Sequence, residues 1–209
     1  MALWFERALL PEGWRRGVRI GFAGDAIASV EPDVEPAADD ARHGAAIPGL
    51  SNVHSHAFQR GMAGLTEVCS NSADNFWTWR EQMYRFVDRL DPEGLRTIAA
   101  LAYAEMLETG FTRVGEFHYL HNAPDGQPYA APAAMAEAIG EAASETGIGL
   151  TLLPVFYNHA DFGGVPPTSG QRRFVLPLDR YARLADACRS IATGLPRGTF
   201  GVAPHSLRA

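Results

Sequence analysis

The chain has 209 residues, 46% of them hydrophobic and 20% charged, a globular balance rather than a disordered one. No apolar run reaches the length of a membrane-spanning helix, and Glu6 interrupts the apolar start that a secretory signal needs. The formal net charge of -6 argues against a nucleic-acid or polybasic membrane partner. Two cysteines, Cys69 and Cys188, are too few for a disulfide framework, so a cytoplasmic location is expected.

Residues 4–10, 18–22 and 27–30 read as three short strands, punctuated by Gly13, Gly17 and Gly24-Asp25. A polar loop is expected over 31–44. Residues 1–45 are therefore assigned to a small N-terminal β subdomain and 46–209 to a second region. The latter opens with a kinked, buried strand over 48–54. A helix over 76–90 follows. Asp91-Pro92-Glu93 then has the form of a helix start, with Asp as N-cap and Pro in the first turn. The helix it opens carries Leu95, Ile98, Ala99, Ala102 and Met106 on one face and stops at Gly110.

Beyond it come a strand over 111–119, a helix over 133–146 closed by Gly147, and a strand over 148–157. A Gly/Pro-rich loop, a helix over 178–191 and a strand over 200–203 complete the pattern. Near-continuous apolar strands alternating with helices predict a parallel sheet covered by helices. Four strands are half of the eight that close a (β/α)8 barrel. A small open α/β domain and the front half of a barrel both fit; a last strand without a covering helix favours the half-barrel.

His54-Ser55-His56 is the sharpest local motif. Side chains at i and i+2 of a strand share a face, so one metal ion can meet both imidazoles. Seven histidines make a chance His-x-His common, but this pair falls at the C-terminal end of the first barrel strand, where such folds build their sites. Catalytic zinc ordinarily takes three protein ligands and water. Of the other histidines, His43 and His159 read as loop or core residues, His118 and His121 lie near a strand end, and His205 lies on the same rim as the pair. All 18 basic residues are arginine, so any anion site must use guanidinium forks or backbone amides.

The run from Asn52 to Arg60, with Pro48-Gly49 before it and Gly61-Met62-Ala63-Gly64-Leu65 after it, resembles the first metal motif of the amidohydrolase superfamily. Within that superfamily it is similar to the formimidoylglutamate deiminases of bacterial histidine degradation. Phe76-Trp77-Thr78-Trp79-Arg80, Glu116 to His121 and Ala203 to Arg208 extend the resemblance along the chain, over the front part of that family's length. The resemblance implies that His54 and His56 are zinc ligands. It implies that Gln59, Arg80, Tyr119, His205 and Arg208 surround the substrate. The remaining metal ligands and the general base would lie beyond Ala209, so no catalytic residue is assigned within the chain.

The implied reaction is hydrolytic deamination of N-formimino-L-glutamate to N-formyl-L-glutamate and ammonia, by a zinc enzyme that is a homodimer when full length. Iron or nickel also suits imidazole ligands. Arg80 and Arg208 would each grip a substrate carboxylate. A solvated surface role is the default for a lone arginine, and Arg80 has Trp77 and Trp79 to pack against. Two other readings stand beside this one: a relative that deaminates a heteroaromatic base, and a truncated fragment without catalysis.

Overall fold

The computed structural model describes residues 2–67 and 74–209; Cys69 lies outside the described residues. The chain forms two compact units, Met1–Gly49 and Leu50–Ala209.

The first unit is a four-stranded sheet of β1 (Ala2–Leu10), β2 (Gly13–Ala23), β3 (Ala26–Glu31) and β4 (Ala41–Ala46), in the order β3-β2-β1-β4. Neighbours β1 and β2 pair antiparallel, as do β2 and β3. The turn between β2 and β3 is Gly24-Asp25, where Gly24 takes a φ of 61° that favours glycine. Strand β4 corrects the loop expected over 31–44. Its residues show no apolar alternation; it forms because its backbone pairs parallel with β1. His43 lies on it, stacked on its register partner Phe5. The Asp40 carboxylate closes the preceding loop by accepting from Arg19 Nε at 2.9 Å and the Ala37 N–H at 2.8 Å.

The second unit alternates strand and helix: β5 (Leu50–Ser55), α1 (Phe76–Val87), α2 (Pro92–Glu108), β6 (Phe111–His118), α3 (Ala134–Thr146), β7 (Gly149–Phe156), α4 (Leu178–Thr193), β8 (Gly198–Phe200) and β9 (Ala203–Pro204). The sheet is parallel, in the order β5-β6-β7-β8, with β9 also pairing with β7. This is the strand order of the front half of a (β/α)8 barrel. Helix starts follow the chemistry of their caps. Asn75 Oδ1 accepts from the Trp77 N–H while Thr78 Oγ1 accepts from the Asn75 N–H, and Asp91 Oδ1 accepts from the Gly94 N–H.

The core lies between sheet and helices. Leu95, Ala99 and Tyr103 of α2 join Val114, Leu150 and Leu152 of the strands and Met135, Ile139 and Ala142 of α3. On β6 the buried residues alternate as Val114, Glu116 and His118. The opposite face carries Arg113, whose guanidinium donates to Thr151 and Thr199 on the next two strands.

Two strand expectations are corrected. β5 is an edge strand, and Leu50 and Val53 are 46% and 87% exposed. It is paired on one side and uncovered on its inner face among the described residues. The single strand expected over 200–203 is instead β8 and β9, separated by Gly201-Val202. Among the described residues, no helix is long and apolar enough to cross a membrane.

Candidate metal and substrate site

The site is built where β5 runs out. Asn52 pairs with Val114 and Ser55 with Glu116, so β5 spends one more residue than β6 over the same stretch. That is a bulge, a device that re-aims side chains at strand ends. The Asn52 side chain supports it by accepting from the His54 N–H at 3.0 Å. Beyond the bulge the chain enters a 3-10 turn, Ala57–Met62, and His54 and His56 converge with their Nε2 atoms 3.3 Å apart.

Two zinc–nitrogen bonds of about 2.0–2.1 Å at a tetrahedral angle separate their nitrogens by about 3.3 Å. The pair therefore fits a shared ion. The Phe117 carbonyl accepts from His56 Nδ1 at 3.1 Å; since a carbonyl only accepts, Nδ1 carries the hydrogen and Nε2 presents its lone pair. Burial, with His54 adding to it, pushes the His56 pKa below the usual histidine value, favouring the neutral form that ligates metal. Among the described residues no group of three or more His, Cys, Asp or Glu side chains could hold a metal ion.

A cavity of about 450 Å³ opens on the pair, lined by His54, His56, Gln59, Phe117, Tyr119 and His205. A second, of about 120 Å³, is lined by Arg80, Arg208, Tyr84, Tyr157 and Phe174. Trp79, Tyr119 and His205 line both. The structure thus gathers all seven residues singled out from the sequence around two adjoining cavities.

Gln59 Nε2 donates to the Tyr119 hydroxyl at 3.0 Å, and burial raises the Tyr119 pKa, so the phenol stays neutral. Arg80 lies over the rings of Trp77 and Tyr84 at 4.4 and 5.7 Å. Neither Arg80 nor Arg208 is paired with a carboxylate among the described residues. His205 is half-buried, its ring 4.4 Å from that of Tyr157. Burial, then Arg208 and His56, lower its pKa.

The remaining histidines stand elsewhere. His118 and His121 are buried beside one another, their rings 5.3 Å apart. His159 contacts the neighbouring Asn158 side chain. Sequence reasoning passed over Glu116, which accepts from Ser55 Oγ and the Ala57 N–H on either side of His56. The available signal was a carboxylate in the buried register of β6, between Val114 and His118.

The model for the N-terminal domain of formimidoylglutamate deiminase HutF matches residues 2–44, and that of the Amidohydrolase family matches residues 45–206. The chain is 50% identical over all 209 residues to formimidoylglutamate deiminase of Pseudomonas aeruginosa, and spans 46% of that relative. It superposes along its whole length on an amidohydrolase from Brucella melitensis, with TM-score 0.94 and 51% identity, covering 46% of that chain. Atrazine chlorohydrolase from Arthrobacter aurescens, crystallised with zinc, shares the fold over 97% of this chain and 46% of its own, at TM-score 0.70 and 18% identity. The chain spans about half the length of these relatives, and its second unit is a parallel half-barrel matched by the family model almost end to end: the chain belongs to the amidohydrolase family.

Proposed function

We propose that the chain supplies the front of a metal-dependent site that hydrolyses N-formimino-L-glutamate to N-formyl-L-glutamate and ammonia. The observation that carries this reading is the convergence of two imidazole Nε2 atoms at 3.3 Å. They open on a cavity whose far walls, Trp79, Tyr119 and His205, continue toward Arg80 and Arg208, which carry no carboxylate partner among the described residues. His54 and His56 would hold one divalent ion, and zinc is the choice that the chlorohydrolase crystallised with it supports. When bound, such an ion lowers the pKa of a water ligand to about 7 and supplies a nucleophile at neutral pH.

The chain's own residues bind and orient. Arg80 and Arg208 each offer a planar fork to one of the two substrate carboxylates. Cation–π contact with Trp77 and Tyr84 holds the Arg80 fork in place. Tyr119, held by Gln59, and neutral His205 offer hydrogen bonds to the formimino end. In the net reaction one water adds to the formimino carbon, one ammonia leaves, and a C=O replaces the C=N. The remaining ligands and the group that moves the proton to the departing nitrogen belong, in this reading, to the length of the relatives that this chain does not span. The full-length protein is read as a cytoplasmic homodimer.

The test is turnover by the full natural polypeptide. Zinc-loaded protein should release ammonia from N-formimino-L-glutamate, and chelation should abolish it. Arg208→Met should raise KM by about tenfold to a hundredfold, the worth of one charge-assisted contact; an unchanged KM removes the carboxylate clamp. A second reading has one observation in its favour. Trp79, Phe117 and Tyr119 line the larger cavity and could stack a heteroaromatic base. Deamination of such a base with indifference to Arg208→Met would establish it. The 209 residues assayed alone should release no ammonia.

A further inference from the structure

Glu116 is 2% exposed and lies on the helix side of β6. Its Oε2 accepts from Ser55 Oγ at 2.6 Å and from the Tyr103 hydroxyl at 3.2 Å, and its Oε1 accepts from the Ala57 N–H at 2.7 Å. Desolvating a carboxylate is costly. An apolar side chain would fill this place at lower cost, as Val114 does two residues earlier. What an apolar side chain lacks is a grip on a neighbouring backbone. Ser55 and Ala57 are the two residues that flank His56, so one carboxylate holds the chain on both sides of that histidine.

We propose that Glu116 is a positioning residue for the metal pair: it pins Ser55-His56-Ala57 so that His56 Nε2 meets His54 Nε2 at a distance one ion can bridge. The inference rests on the metal reading above. Strand register makes the pinning necessary. The bulge between Asn52 and Ser55 gives β5 a spare residue, and the pairing of Ser55 with Glu116 is where register resumes. A bulged edge strand slips easily, and a slip of one residue turns every side chain to the other face. The next residue of β6 completes the hold, since the Phe117 carbonyl accepts from the His56 ring. β6 therefore fixes both the backbone and the ring plane of His56.

The experiment uses the full natural polypeptide carrying Glu116→Ala, Glu116→Gln or Ser55→Ala. The zinc dissociation constant is measured by chelator competition, the visible spectrum of the cobalt(II) form is recorded, and the melting temperature is taken. Glu116→Ala and Ser55→Ala should weaken zinc binding by about tenfold to a hundredfold, as loss of a supporting shell does, and shift the cobalt bands. Glu116→Gln should recover most of the affinity, because its amide oxygen still accepts from Ala57 and its NH2 can donate to Ser55. Ser55→Ala deletes one hydroxyl and keeps the test decisive where Glu116→Ala fails to fold. Variants that melt earlier yet bind zinc and colour cobalt as wild type does would overturn the proposal, leaving Glu116 a folding residue. Wild-type protein that takes up neither metal would overturn the metal reading itself, and this inference with it.

Discussion

Tyr119 is one of three side chains, with Trp79 and His205, that the two cavities share. Its hydroxyl accepts from Gln59, its ring stands edge-on to His56 and Phe174, and it lines both spaces. Tyr119→Phe keeps the ring packing and deletes the polar handle. The Gln59 amide then loses its acceptor, at a cost of about 0.5–1.5 kcal/mol, readable as a lower denaturant midpoint. In the proposed reaction the same change should lower kcat/KM several-fold, because orientation is lost while both carboxylate grips remain. Residues of this kind were legible in the sequence because each sits in a short local string: His54 with His56, Arg80 at the end of Phe76-Trp77-Thr78-Trp79, His205 three residues before Arg208. Glu116 was not legible. Its partners Ser55 and Ala57 lie 61 and 59 residues away, and only the register of two strands brings them together.

Elements were legible where periodicity or caps marked them and obscure where pairing alone creates the strand. The helices came through because Asp91-Pro92 and Gly147 punctuate apolar faces. β4 did not, because Ala41–Ala46 has no apolar alternation and owes its strand form to β1. Helix packing adds a constraint that composition hides. A Cβ built on Gly140 of α3 would lie 2.5 Å from Ile191 Cγ2 on α4, closer than side chains pack. Gly140→Ala gains helix propensity of about 1 kcal/mol, but forcing the helices apart costs about 1–3 kcal/mol. The expected result is a net loss of stability. Ile191→Ala removes the opposing methyl, so the double variant should be more stable than the two single losses sum to. A double-mutant cycle by chemical denaturation measures that coupling; simple additivity would show that the helices yield freely.

At the scale of the whole second unit, folding buries two imidazoles that water would otherwise solvate. His118 Nε2 and His121 Nδ1 are buried without a hydrogen-bond partner among the described residues. Burial, with His121 adding to it, pushes the His118 pKa well below the usual value, and burial carries that of His121 down to about 4. Both are therefore neutral in the folded protein at pH 7, while in the unfolded chain they titrate near 6.5. Below pH about 6.5 the unfolded state binds protons that the folded state refuses, so stability is full above that pH and falls as the pH drops toward the folded values. Each histidine contributes a slope of up to about 1.4 kcal/mol per pH unit. Denaturant midpoints of the full natural polypeptide between pH 7 and pH 4.5 should decline accordingly. His121→Gln should flatten the decline by one proton's worth, since an amide does not titrate and the longer glutamine side chain can still donate to the Val155 carbonyl that His121 Nε2 now reaches at 3.0 Å. An equally steep decline in wild type and variant would show that His121 takes up a proton in the folded protein, and its neutral buried form would have to be abandoned.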